Sequence, residues 1–149
     1  MAQAPLNGLR AIEFGQLLAG PFTDIGCGSG VLSIAAAKLG WSPIVAIDVD
    51  PNSILIARDN ADRNGVAIDV RRVDVASEPP PGAETVVANI PPAVQLSLAE
   101  RLAVTPALLV ASGFKPDEIP DVASAWERHG LSVAEEVRAN EWSVLVMRA

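Results

Sequence analysis

Apolar positions along this chain fall into two alternating patterns. Unbroken apolar runs occur at Pro43-Ile44-Val45-Ala46-Ile47-Asp48, Thr85-Val86-Val87-Ala88 and Ala107-Leu108-Leu109-Val110-Ala111-Ser112-Gly113. Their length and continuity predict parallel strands covered on both faces. Between them the apolar residues recur at helical spacing. Val31 to Leu39 predicts a helix closed by Gly40, in the usual position just past a helix end. Asp50-Pro51 predicts the start of another, with Asp50 as cap, Pro51 at the first position, and Asn64-Gly65 closing it. Further helices are expected from about Ala93 to Ala103 and from about Asp117 to His129, the latter ended by Gly130. A less apolar strand is expected roughly over Ala67 to Val73, and two more near Leu131 to Val137 and Trp142 to Met147. With the strand leading into Asp24-Ile25-Gly26 this makes seven. Strands alternating with helices predict a three-layer α/β sandwich with a mostly parallel sheet. The last two strands are joined by a short turn and must be antiparallel.

The pattern is weakest at the start. Residues 1–23 offer a short strand at Arg10-Ala11-Ile12-Glu13-Phe14, or a short helix from Leu9 to Leu18 interrupted by Gly15. Gly20-Pro21 then leads poorly into a central strand, because proline is badly tolerated inside one. The strand feeding the glycine turn is expected to be shorter or less regular than the architecture prefers.

Composition narrows the function classes. The 149 residues make one domain, and half of them are hydrophobic. No apolar run approaches the length of a membrane span, and no basic region precedes an apolar stretch at the start. A cytoplasmic protein with no membrane partner is the expectation. The formal charge of −7 argues against direct nucleic-acid binding and suits a basic protein partner. A single cysteine excludes an internal disulfide, and no metal-ligand cluster stands out. The apolar composition also leaves room for an exposed patch and hence a homodimer.

The chemistry concentrates in Asp24-Ile25-Gly26-Cys27-Gly28-Ser29-Gly30, which opens the helix at Val31. Gly26, Gly28 and Gly30 let the backbone approach a ligand closely. A strand, glycine turn and helix form the usual seat of a nucleotide-like cofactor. The dinucleotide pattern would want a small residue at Val31. Asp24 would repel a pyrophosphate but attract the ammonium of a methionine moiety. Both features favour S-adenosyl-L-methionine. Cys27 reads as a small space-filler within this binding turn, with no role as a nucleophile. Asp48, eighteen positions after Gly30 and at the end of the next strand, is placed to accept both ribose hydroxyls. Val49 is a candidate for packing on the adenine face, and Asp74 for accepting from the adenine amino group. Asn89-Ile90-Pro91-Pro92 ends the fourth strand, where Asn89 could orient an incoming amine while Pro91 stiffens the loop. Methyl transfer needs in-line positioning of a neutral nucleophile more than acid–base groups. Trp41, Trp126 and Trp142 read as core or edge packing, and His129 as a helix-end residue.

These residues carry a family resemblance. Asp24 to Gly40 resembles the first motif of the class I S-adenosylmethionine-dependent methyltransferases, within the Rossmann-like methyltransferase fold. Within that superfamily the chain is most similar to the ribosomal protein L11 methyltransferases, the PrmA family. Ala46 to Pro51, Asp59 to Val66, Val86 to Ile90 and Glu141 to Val146 point the same way. The resemblance implies that Gly26, Gly28 and Gly30 approach the methionine part, Asp48 holds the ribose, and Asn89 lies beside the transferring methyl. It also implies transfer to an amine or amide nitrogen, with a ribosomal protein, another protein or a small amine as the expected partner. The family's separate N-terminal substrate domain and linker are expected to be lacking here. Pro91-Pro92 resembles instead the Asn-Pro-Pro turn of other amino- and amide-directed methyltransferases. The alternative is a cofactor-binding or structural module with this fold and no turnover.

Residues 5–22 resemble the opening of family III CoA-transferases. That suggests a chimera or fusion: a segment over 1–23 of separate origin, joined near Thr23-Asp24 to a methyltransferase domain over 24–149.

Overall fold

The computed structural model describes residues 20–149. The expected strand or helix within residues 9–18, and most of the CoA-transferase-like segment, lie outside the described residues. The order of elements is β1 (Phe22–Ile25), α1 (Val31–Lys38), β2 (Ile44–Asp48), α2 (Pro51–Asn64), β3 (Asp69–Arg72) and β4 (Thr85–Asn89). There follow α3 (Pro92–Arg101), β5 (Leu108–Phe114), a short 3-10 turn, α4 (Ile119–Glu127), β6 (Ser132–Ala139) and β7 (Trp142–Arg148). They form one seven-stranded sheet in the order β3-β2-β1-β4-β5-β7-β6. Strands β1 to β5 pair in parallel, and β7 pairs antiparallel with both β5 and β6. The expected hairpin is therefore present. Its returning strand lies inside β6, which leaves β6 at the sheet edge.

β1 is short but regular. Its four residues are buried and pair in register with β2 on one side and β4 on the other. Proline stays outside the ladder: the Pro21 carbonyl accepts from Thr85 N–H at 3.1 Å, and Phe22 N–H donates to the Pro43 carbonyl at 3.0 Å. The irregularity that Gly20-Pro21 suggests is thus confined to the approach, and no register shift occurs at Thr23–Asp24. β3 is shorter than expected because Ala67 and Ile68 precede the paired residues and Val73 follows them. Its exposed edge carries the Asp69–Arg71 ion pair.

Alternation along the strands sends side chains to the two faces of the sheet, where they join three apolar clusters among the described residues. Ile25, Ile47, Val86, Ala88, Leu109, Ala111 and Leu145 face α3 and α4, where Trp126 and Phe114 are fully buried. Phe22, Val87 and Val110 face the opposite side with Ala36 and Trp41. Burying an aromatic of this size from water contributes about 1.5–3 kcal/mol. No helix of the described residues is long and apolar enough to cross a membrane.

Candidate active site at the carboxyl ends of β1, β2 and β4

The sheet order reverses direction between β1 and β4, which splays the loops that leave their carboxyl ends and opens a crevice. A cleft of ≈ 360 Å³ occupies it, lined by Gly26, Asp48, Val49, Asp74, Asn89 and Pro91 among others. Six of the residues expected to form the site therefore converge on one cavity. Asp24, Cys27, Gly28 and Gly30 do not line it and build the turn beside it.

The turn is held by its neighbours. Gly26 N–H and Cys27 N–H both donate to the Ile47 carbonyl, at 2.9 and 3.0 Å. Gly26 adopts φ 75°, and a Cβ there would come within 2.5 Å of Ile90 Cγ2 and 2.9 Å of the Asn89 carbonyl. Glycine is needed at this point because strand β4 passes directly behind it. Gly28, by contrast, faces open space. Gly28 N–H donates to Asp48 Oδ2 at 2.9 Å, while Asp50 N–H donates to Asp48 Oδ1 at 2.9 Å. Asp48 thereby ties the glycine turn to the start of α2. An ionised carboxylate has about four lone-pair positions, so roughly two remain for a ligand.

Asp24 is fully buried. Ser33 Oγ donates to its Oδ2 at 2.7 Å, whereas Oδ1 has no partner. Burial pushes its carboxyl above the usual carboxylate range, the Ser33 hydrogen bonds oppose this, and the charge of Asp48 adds to it. A buried acceptor without a donor is costly. Cys27 is buried too, and burial, reinforced by Asp24 and then Asp48, raises its thiol to about 12. The thiolate is the reactive form. Iodoacetamide at pH 8 should therefore label Cys27 at least ~100-fold more slowly in the folded than the unfolded protein, read by intact mass. Equal rates would contradict the buried position.

Val49 is 54% exposed at the cleft, an apolar side chain available to a flat aromatic face. Asp74 also lines the cleft, but its Oδ1 accepts from Ala76 N–H at 3.0 Å and stabilises its own turn, so only Oδ2 is uncommitted. Asn89 ends β4 and accepts at Oδ1 from Ser112 Oγ at 3.0 Å. A second cleft, ≈ 540 Å³, lies on the far side of Asn89, Ile90 and Pro91 and continues to Ser112, Gly113, Trp142, Ser143 and Val144. The two cavities share that three-residue wall.

Trp142 corrects the sequence reading. Trp41 and Trp126 are buried as expected, but Trp142 is 56% exposed on the second cleft. Its position follows from β7 pairing with β5, which the sequence pattern alone does not disclose. Ser112 and Gln95 were likewise not singled out by sequence reasoning. Gln95 is fully buried, and its Nε2 donates to the carbonyls of Ala88 and Ser112 at 2.9 and 3.1 Å. A polar residue three and four positions before Leu98 and Ala99, on the same helix face, is the signal that could have marked it. Among the described residues no group of side chains could hold a metal ion.

The sequence profile of the family described as ribosomal protein L11 methyltransferase (PrmA) matches residues 8–149. The chain belongs to the PrmA family. Its relatives include the ribosomal protein L11 methyltransferase of Thermotoga maritima, 36% identical over 128 residues, covering 84% of this chain and 48% of that protein. The enzyme of the same name from Vibrio parahaemolyticus is 42% identical over 124 residues, covering 80% of this chain and 41% of the relative. The chain spans about half the length of the curated relatives it matches. Among solved structures, ribosomal protein L11 methylase from Lactobacillus delbrueckii subsp. bulgaricus superposes with a TM-score of 0.81 at 26% identity, covering 89% of this chain and 71% of that one. The fold is thus the Rossmann-like methyltransferase fold. The PrmA profile reaches back to residue 8, within the segment over 1–23 for which a separate origin was suggested.

Proposed function

We infer that this PrmA-family chain is an S-adenosyl-L-methionine-dependent methyltransferase domain that modifies an amine or amide nitrogen of a protein, with a ribosomal protein as first candidate. The observation that carries this reading is the pair of clefts separated only by Asn89, Ile90 and Pro91. One has the chemistry of a nucleoside site, and the other opens on the same asparagine.

The residues fit the cofactor. Asp48 keeps lone pairs for the ribose hydroxyls while its remaining acceptor capacity holds the glycine turn. Val49 offers an apolar surface to the adenine, with Asp74 Oδ2 near its amino group. Asp24, buried in β1 and off the cleft lining, has an unpartnered Oδ1 that suits a cationic ammonium. S-adenosylmethionine, when bound, supplies an electrophilic methyl group on a sulfonium sulfur. The chain's part is to bring the acceptor nitrogen in line through the Asn89–Pro91 opening. An unperturbed lysine amine has a pKa of about 10.4 and is largely protonated at neutral pH, so it must lose that proton before its lone pair can take the methyl. Trp142 provides a flat apolar wall along which the acceptor's side chain can lie.

Calorimetric titration of S-adenosylhomocysteine, followed by incubation of unmethylated ribosomal protein L11 with S-adenosylmethionine, tests the reading. Micromolar binding and a mass gain in methyl increments are expected. Binding without transfer to any amine would leave a cofactor-binding module, and no binding to folded protein would overturn the site. Trp142→Ala should lower kcat/KM for the protein acceptor about tenfold, the effect of losing roughly 1.4 kcal/mol of contact, with cofactor affinity unchanged. An unaltered kcat/KM would remove Trp142 from the acceptor path.

A further inference from the structure

Asn89 and Ser112 are direct partners across β4 and β5, each near the carboxyl end of its strand. The backbone around them is fixed from below. Ile90 N–H donates to the Ser112 carbonyl at 3.1 Å. Gly113, at φ 94°, backs so closely onto Ile90 that a Cβ would lie 2.6 Å from its carbonyl oxygen. The pairing of β5 with β7 shifts register at this point. Beneath, Gln95 bonds the Ala88 and Ser112 carbonyls together, and Trp126 Nε1–H donates to Gln95 Oε1 at 3.3 Å. Both Gln95 and Trp126 are fully buried. What this network leaves free is the turning of the Asn89 amide itself.

That freedom matters for chemistry. The terminal torsion of asparagine is broad and roughly two-fold, so an unrestrained amide presents its carbonyl or its NH2 end. A nitrogen nucleophile has to point its lone pair along the transfer line and its N–H bonds towards acceptors. An amide turned the wrong way would donate into that lone pair instead. Ser112 carries one hydroxyl proton, and that proton is committed to Asn89 Oδ1. Both oxygens then offer only lone pairs, and both residues line the second cleft.

We propose that Ser112 is a positioning residue for the acceptor nitrogen, acting through the Asn89 amide. Its hydroxyl holds the carbonyl end of Asn89 towards the acceptor side and places its own oxygen 3.0 Å away as a second acceptor for N–H. The acceptor class that fits is a neutral amine or amide nitrogen carrying at least one hydrogen. The proposal rests on the second cleft being the acceptor side.

Ser112→Ala and Ser112→Thr separate positioning from mere packing. With unmethylated ribosomal protein L11 as acceptor, Ser112→Ala should lower kcat about tenfold while KM for S-adenosylmethionine and the affinity for S-adenosylhomocysteine stay within twofold. Ser112→Thr restores the hydroxyl and should recover most of kcat. A fall in kcat shared equally by the threonine variant, or no fall in the alanine variant, overturns the proposal. A second measurement is independent of turnover. In the 15N-labelled S-adenosylhomocysteine complex, the Asn89 side-chain NH2 signals should shift and broaden in Ser112→Ala and return in Ser112→Thr. Unchanged signals in the alanine variant overturn it even if the chain methylates no amine, an outcome that by itself tells only against the functional reading.

Discussion

Asp48→Ala is expected to reduce S-adenosylhomocysteine affinity by at least ~100-fold, because it removes two kinds of contact together. Hydrogen bonds to a charged group contribute about 1.5–3 kcal/mol each, and the ribose would lose two such acceptors. The same truncation releases Gly28 N–H and Asp50 N–H, which both end on this carboxylate. The turn that should receive the methionine part is then no longer tied to β2. Asp48→Asn is the useful companion. It keeps the shape but replaces one oxygen with an NH2 that faces a backbone N–H, so it too should bind poorly. Titration calorimetry beside thermal unfolding distinguishes a lost contact from a lost fold. An alanine variant that is folded and binds like the parent would refute the ribose assignment.

Asp24→Asn should act in two opposite directions. The parent carboxyl is buried with Oδ1 unpartnered, and burial raises its pKa. A carboxyl raised in the folded state holds a proton that the unfolded chain releases. Its stabilising contribution is full below the unfolded value and is lost as pH rises through the folded value. The asparagine variant has no such titration, so its stability should hold level where the parent's declines. At pH 7.5 it should be the more stable of the two, by about 1–3 kcal/mol, the scale of an unsatisfied buried group. Ser33 can keep its hydrogen bond to either end of the amide. Affinity for S-adenosylhomocysteine should fall about tenfold, since a charge-assisted contact to the ammonium becomes a neutral one. Parallel pH-stability curves for the two proteins, or equal cofactor affinity, would refute the role given to Asp24. A more stable but weaker-binding variant would show a buried charge kept for the ligand.

The strands and helices were legible because apolar runs and glycine or proline stops are local signals. Val86 to Ala88 and Leu108 to Ala111 read as strands buried on both faces, and they are. Asp50-Pro51 read as a cap, and Asp50 Oδ1 does accept from Asn52 N–H at 3.0 Å. The convergence of Gly26, Asp48 and Asn89 on one cleft was also accessible, since each ends or follows a parallel strand. What stayed hidden depends on strand order and register. Trp142 faces the second cleft only because β7 inserts between β5 and β6. Ser112 meets Asn89 only because β4 and β5 pair in that register. Gln95 gains its meaning from Trp126, thirty-one positions further on. The weak lead-in at Gly20-Pro21 was a real signal: the ladder begins one residue later, and β1 is short yet keeps register with both neighbours.

The wall of Asn89, Ile90 and Pro91 has a consequence for the order of events. Because the same three residues bound both cavities, filling one alters the surface seen from the other. Whatever factor a bound cofactor adds to acceptor affinity, the acceptor must return to cofactor affinity, since the two belong to one thermodynamic cycle. The partition is therefore also a line of communication. If a bound cofactor tightens the acceptor's hold, a bound acceptor tightens the cofactor's by the same factor.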